Sequence, residues 1–444
     1  MRILRCHDPD YAAQVRKLTT SSSLFDRTIE ERTRAIVEGV YLRGDAAVLE
    51  FTERFDGAKL ALHQMVVTAP ELLRASLRAD ARLRGAVALA TKNIEAFARK
   101  SLRRGWSMRN AQGAKVGEKY DPFQRVGVYI PGGQAPLLST ALMTVVLARI
   151  AGCPQIVVCT PCNAQGLVNP ALLFAVRFAG ATEIYRIGGA QAIAALAYGT
   201  ATIRPAQKIF GPGNAYVVAA KRLLFGHAAM DLLPGPSEAL ILADDSARPD
   251  FIAADLLAQA EHGSGHERVW LVTTSHKLMR AVEREVARQL PHRARRELIA
   301  RALERGGWLI QVPALEQGIE LANLLAPEHC EVMTRKPAKA VEKLTSAGAI
   351  FCGPYSPTVA GDYLAGPSHV LPTGGAGVSF AGLTVDQFQR RTSVVEYTRG
   401  ALRKSLKALR TFADLEGLEA HGASAAMRLE RAGTRANRGP SAKA

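Results

Sequence analysis

Val126-Gly127-Val128-Tyr129-Ile130-Pro131-Gly132-Gly133 decides how this chain is read. A short apolar run stops at Pro-Gly-Gly, the pattern of a buried strand running into a tight turn. From there β-branched runs recur at 156–158, 183–187, 208–210, 239–242, 268–272, 308–312, 330–333 and 349–351. Alanine-rich or amphipathic stretches separate them, at 190–198, 214–224, 250–262, 276–290, 315–325 and 336–345. Strand and helix alternating at this spacing predict an α/β fold of parallel sheets with crossover helices. So many strands predict two sheets rather than one. Upstream, 27–49 reads as helix, with Ile29, Ile36 and Val40 at helical spacing and a break at Gly44-Asp45. A helical region continues over 92–100. Beyond Pro372 the alternation is lost and 385–421 reads as helical. Residues 432–444, polar and basic, are expected to be disordered.

The chain's 444 residues allow roughly two to four domains. No apolar run approaches the roughly 18 residues of a membrane span. The opening MRILRCHDPDYAAQVRK turns charged at once and lacks the apolar core of a signal peptide, so a cytoplasmic protein without a membrane partner is expected. Cys6, Cys153, Cys159, Cys162, Cys330 and Cys352 are scattered, which argues against a disulfide framework. Cys159-Thr-Pro-Cys162 has redox or zinc spacing. No second pair completes a four-thiolate site, and the apolar run before it marks a strand-to-loop junction. The net charge of +17 suits anionic metabolites or nucleic acid. Arg428, Arg431, Arg435, Arg438 and Lys443 concentrate part of it in the tail. With no arginine–aromatic stripe and no zinc-finger spacing, nucleic acid is not the expected partner.

Three glycine turns follow strand-like runs: Pro131-Gly-Gly133, Gly188-Gly189-Ala190-Gln191 and Gly211-Pro-Gly-Asn214. Each stands where a helix begins, and backbone N–H groups at such junctions bind phosphate. None spells the G-x-G-x-x-G fingerprint. A tight turn needing positive φ explains any one of them; three together point to a phosphate-bearing cofactor.

Ala258-Gln-Ala-Glu-His262 supplies the chemistry. Gln259 and His262, at i and i+3 of a predicted helix, share a face and suit one metal ion. Imidazole with oxygen donors suits zinc with a position left open. Asp362, after Gly361, offers a carboxylate, and His421 a second imidazole. Taken singly, either is a hydrogen-bonded structural residue. Glu328-His329, after Pro327, places a carboxylate beside an imidazole, a combination suited to proton transfer. Ser237, His369 and Glu416 are further polar groups in proline- and glycine-rich surroundings.

At these residues the sequence resembles the histidinol dehydrogenase family. The motifs are VGVYIPGGQAPLLSTALM, IGGAQAIAALAYGT, KIFGPGNAYVVAAKR, GPSEALILAD, LLAQAEHG, APEHCEV, SPTVAGDYLAGPSHVLPTGG and EGLEAHGAS, and the likeness runs from about Ile29 to Arg428. It implies a zinc- and NAD-dependent enzyme, with one zinc per subunit, that oxidises the amino alcohol L-histidinol through an aldehyde to L-histidine. By match, Gln259, His262, Asp362 and His421 are zinc ligands, and Glu328 and His329 the acid/base pair. The glutamate activates the water that attacks the aldehyde-level intermediate. Ser237, His369 and Glu416 match substrate contacts, alongside His329 and the zinc ligands, and Tyr129, Gln191 and Asn214 match NAD contacts.

The resemblance further implies a homodimer with shared active sites and two incomplete Rossmann-like domains. Residues 27–128 with 237–382 would form the first and 129–236 the second. Residues 1–26 would be an N-terminal extension, and 383–431 a helical C-terminal extension carrying Glu416 and His421 to the partner. The sequence departs from the family at 98–101, Gln207, Ser368 and 376–378. Two alternatives stand beside histidinol: another polar alcohol, amino or sulfonated, on the same scaffold, and a non-catalytic basic binding protein. Intact Glu328-His329 argues against the latter.

Overall fold

A computed structural model describes residues 1–19, 26–132, 136–262 and 265–430. The expected disordered tail, 432–444, lies outside the described residues, as do Gly133 of the first glycine turn and part of the 1–26 extension. The chain divides into two units, one of Met1–Leu102 with Pro122–Phe388, the other of Arg103–Asp121 with the chain from Gln389 onward.

The first unit contains two parallel sheets. One has the strand order Arg2–Arg5, Gly307–Gln311, Arg268–Thr273, Glu238–Ala243, His329–Met333, Ala349–Cys352. Every neighbouring pair in it is parallel. Helices cover both faces, which is why its strands read as continuous apolar runs. Ile241, Leu271 and Met333 pack with Ile252 and Leu256 of helix Pro249–Ala260. On the other face Leu240, Trp270 and Cys330 pack with Ile319 and Ala322 of helix Leu315–Leu325. Arg2–Arg5, expected to be mere extension, is an edge strand of this sheet.

The second sheet has the order Glu183–Tyr185, Gln155–Cys159, Arg125–Tyr129, Lys208–Phe210, Ala229–Met230, again parallel throughout. Of residues 27–128, expected to belong with the first sheet, the helices over 27–101 and strand Arg125–Tyr129 gather here instead, while Arg103–Asp121 falls in the second unit. Helices Arg27–Arg43 and Asp45–Asp56, broken as expected at Gly44, turn Ile36, Val40, Val48 and Phe51 onto the alanine-rich helix Gly189–Tyr198. Small alanine side chains leave room for that larger apolar stripe. Helix Ala81–Ser101 adds Val87, Ala90 and Ile94 to the cluster that holds helix Leu138–Ala151.

In the second unit, strands Gln389–Glu396, Lys115–Pro122 and Trp106–Arg109 form a sheet in that order, followed by helices Arg399–Leu415 and Glu419–Met427. The expectation of helix over 385–421 fails at Gln389–Glu396. Thr392, Val394 and Val395 favour extended backbone, and the sheet supplies a pairing partner. The expected boundary at 383 moves too: Leu383, Val385 and Phe388 are core residues of the first unit, and Phe388 stacks on Phe210 with ring centroids 3.8 Å apart. Residues 336–345 are helical only over Pro337–Val341. No described helix is long and apolar enough to cross a membrane.

Candidate active site

Helix Pro249–Ala260 runs back along its sheet, so its C-terminal end lies at the amino edge of the strands. Glu238, Arg268 and His329 all begin strands at that edge, and Arg268 registers opposite Glu238. Glu238 organises the edge with its backbone. Its N–H donates to Glu328 Oε2 at 2.9 Å, and its carbonyl lies 3.0 Å from His329 Nδ1. That carbonyl accepts only if Nδ1 carries hydrogen, so Nε2 is the atom left to exchange protons. Among the described residues His329 Nε2 is buried without a hydrogen-bond partner, and it lies 3.6 Å from Asp362 Oδ1, an ion-pair distance too long for a hydrogen bond. Nδ1 lies 3.6 Å from Glu328 Oε2.

The expected helix 250–262 ends at Ala260, and His262 occupies the turn beyond it. Its Nδ1 lies 3.0 Å from the Gln259 carbonyl, which fixes the ring and leaves Nε2 free for another partner. Gln259 is 2 % exposed, and its side-chain nitrogen has no partner among the described residues. His369 Nε2 lies 3.1 Å from Thr140 Oγ1, in the first turn of helix Leu138–Ala151. That contact ties the acid/base edge to the helix that follows the first glycine turn. Ser237 precedes the strand Glu238–Ala243 and accepts the Arg268 N–H through its carbonyl at 3.1 Å.

These groups bias one another strongly. Burial pushes the Glu328 carboxyl up, and the positive fields of His329 and His262 offset only part of that. Burial alone would discharge His329, yet Glu328 and Asp362 outweigh it and raise its pKa to about 9. Burial also works against the Asp362 carboxylate, but His329, His369 and His262 hold it below the usual carboxylate range. His369 is pushed down to about 4 by burial, so it is a neutral ring near pH 7. Burial, with Glu328 adding to it against Arg268, raises Glu238 to about 7.

A cavity of about 1320 Å³ opens at the carboxyl edge of the five-stranded sheet. Tyr129, Gly132, Gly189, Gln191 and Asn214 line it, so the three glycine turns converge there. Gly189 (φ +63°) donates its N–H to the Tyr129 hydroxyl at 3.1 Å. Gly211, at φ +112°, allows a backbone approach that a Cβ would block at 2.0 Å from the Tyr129 carbonyl oxygen. Among the described residues, both amide atoms of Gln191 are buried without a partner. Cys159 and Cys162 are free thiols at the end of a strand and in the following turn.

Glu416 and His421 belong to the second unit, where both are exposed, one ending helix Arg399–Leu415 and the other within Glu419–Met427. Sequence reasoning missed Glu238, Thr140 and Arg268. Glu238 had a signal: one carboxylate opening the otherwise apolar run Ala239-Leu-Ile-Leu-Ala243. Thr140 had none, since only tertiary packing brings it to His369.

Proton-transfer groups withdrawn from water, on parallel sheets with a large cavity built from turns, give the chain the make-up of an α/β enzyme. The histidinol dehydrogenase family pattern matches residues 19–429. A histidinol dehydrogenase of Geobacillus kaustophilus is 47% identical over 405 residues, covering 90% of this chain and 95% of the relative. One from Xylella fastidiosa is 42% identical over 431 residues, covering 97% and 99%. The crystal structure of histidinol dehydrogenase from Elizabethkingia anophelis superposes with a TM-score of 0.91 at 33% identity, covering 97% of this chain and 98% of that one. The chain belongs to the histidinol dehydrogenase family.

Proposed function

We propose that this chain oxidises L-histidinol through L-histidinal to L-histidine in the cytoplasm, as a zinc-dependent homodimer using two NAD molecules in turn. The observation that carries the reading is the couple Glu328–His329, both held by the backbone of Glu238 and facing Asp362.

The residues present fit both groups. For the metal, among the described residues no three His, Cys, Asp or Glu side chains close on one point. The donors this chain offers are His262, Asp362 and the buried side-chain amide of Gln259, one short of four. His421 from a second copy of the chain would be the fourth. For the dinucleotide, the orphaned Gln191 amide and the close-approach glycines suit a ligand that brings its own hydrogen-bonding groups. Tyr129, Gln191 and Asn214 would contact it. When bound, zinc would hold the imidazole and amine of the substrate as a Lewis acid, and NAD would accept hydride.

The chain's own residues manage protons. In the first oxidation the couple takes the hydroxyl proton through Nε2 of His329 in its neutral form, the minority form at pH 7 for a group with a pKa of about 9, while the carbon loses hydride. In the second, Glu328 removes a proton from the water whose oxygen bonds the aldehyde carbon, and that carbon again loses hydride. One alcohol and one water thus give a carboxylate, two hydrides and three protons. His369, neutral near pH 7, serves as a hydrogen-bonding group for the substrate rather than a second cation. Ser237 and Glu416 would complete the contacts.

Three of the departures from the family pattern make identifiable contacts. Ser368 donates to the Met143 carbonyl at 3.3 Å and accepts the Val370 N–H. A Cβ on Gly377 would sit 2.4 Å from the Ser346 carbonyl oxygen. Gln207 accepts the Gln124 N–H at 2.6 Å. The test is NADH formation by purified protein with L-histidinol and zinc; turnover of another amino or sulfonated alcohol but not of histidinol would replace the reading.

A further inference from the structure

A second pair of carboxyls lies beneath the acid/base couple, and the proton scheme above leaves it unused. Along strand His329–Met333, Cys330 and Val332 pack on the face of helix Leu315–Leu325, whereas Met333 packs on the face of helix Pro249–Ala260. Side chains alternate on a strand, so His329 and Glu331 share the face of Met333. Glu331 is 1 % exposed. On the facing helix, Asp255 stands four residues before Gln259, one turn deeper on the same side. The two carboxyl groups lie close enough for each to shift the other's hold on a proton. Two buried carboxyls at such range are accommodated by one proton held between them.

The remaining bonds of Glu331 support the same picture. Its Oε1 accepts both the N–H of Thr358, at 2.8 Å, and the Thr358 hydroxyl. Its Oε2 is buried with no hydrogen-bond partner among the described residues, and the carboxyl on the facing helix is that of Asp255. Burial and mutual repulsion push the Asp255 carboxyl up, and burial does the same to Glu331. Thr358 opens the short helix Thr358–Tyr363, and Asp362 follows four residues later, one turn along the same face. The grip on Thr358 therefore sets the angle at which Asp362 meets His329, 3.6 Å away.

We propose that Asp255 and Glu331, sharing one proton, are positioning residues that lock helix Thr358–Tyr363 to the sheet and so aim Asp362 at the site shared with Gln259 and His329. Neither touches substrate. The zinc readout below rests on the metal reading proposed above; the exchange readout does not.

The experiment compares Asp255→Leu, Asp255→Asn, Glu331→Gln and Thr358→Val in the full-length protein. Zinc affinity is read by competition with a chromogenic chelator, and amide hydrogen exchange is read over residues 358–364. Asp255→Leu is expected to weaken zinc binding about tenfold or more and to speed exchange. Asp255→Asn replaces the shared proton with a fixed N–H donor and should stay within about threefold of wild type, as should Glu331→Gln, whose amide donates to Asp255 while its oxygen still accepts from Thr358. If Asp255→Leu does not fold, Thr358→Val decides, with the same expected direction. The proposal is overturned if Asp255→Asn is as damaging as Asp255→Leu, or if Asp255→Leu or Thr358→Val leaves both readouts at wild type. A wild-type protein that binds no zinc sinks the metal reading, and the exchange comparison alone then decides the proposal.

Discussion

Replacing Asp231 with Asn tests how the third glycine turn is held. Lys221 and Asp231 are both wholly buried, with Nζ 2.6 Å from Oδ1. Lys221 also donates to the Gly211 carbonyl and, at 3.4 Å, to the Leu232 carbonyl. Asp231 Oδ2 accepts the Gly211 N–H at 2.7 Å. One ion pair therefore grips both backbone groups of Gly211, which begins the turn carrying Asn214 into the cavity. Asp231→Asn keeps an acceptor for that N–H but strands an ammonium out of water. Breaking a buried pair in this way costs about 3–5 kcal/mol. Because Nζ retains two carbonyls, the lower end applies, ~3 kcal/mol. Adding Lys221→Met removes the stranded charge and leaves only carbonyls without a donor, so the double variant should regain about half the loss. Urea unfolding followed by circular dichroism gives the stabilities, and calorimetric titration gives NAD affinity, expected to weaken with the single variant. A loss under about 1 kcal/mol, or a double variant no better than the single one, would refute the clamp.

Three further outcomes are expected. Glu328→Gln retains an acceptor for the Glu238 N–H but not a base, so single-turnover oxidation of histidinal should fall about 10²–10⁴-fold, and that of histidinol less; equal losses would contradict the water-activating role. Glu183 is held at about 2, against an ordinary 4.5, chiefly by hydrogen bonds from Arg125 at 2.6 and 2.7 Å. Its stabilising contribution is thus full above pH 4.5 and is lost as pH falls towards 2. Since the pair is partly exposed, Glu183→Gln should cost only about 1 kcal/mol at pH 7 and flatten the acid limb of a urea-midpoint series; parallel losses in both proteins would refute it. Exhaustive chelation should stop NADH formation and added zinc restore it, whereas full activity without metal would remove Gln259, His262 and Asp362 from the role given them.

What the sequence disclosed follows from how the fold buries its parts. Strands covered on both faces, such as Arg125–Tyr129 and Glu238–Ala243, read as apolar runs and were placed correctly. Edge strands carry charge. Arg2–Arg5 begins and ends in arginine and passed for extension, and Gln389–Glu396, with two arginines and little burial, passed for helix. The glycine turns were legible because a glycine at positive φ leaves a mark in sequence, yet their convergence on one cavity is a tertiary fact. Likewise Gln259 and His262 announce a shared face by spacing, whereas Asp255 and Glu331 meet only because a helix crosses a strand 76 residues further on (331 − 255). The allotment of the helices over 27–101 to the other sheet has the same origin: an apolar stripe says that a helix is buried, not against what.

The central claim is that one couple, Glu328 with His329, carries both oxidations of one substrate. The most direct measurement counts NADH formed per L-histidinol consumed, without added aldehyde, while chromatography identifies the product. Two NADH and L-histidine are the predicted result; a single NADH with histidinal accumulating, or none at all, would contradict it.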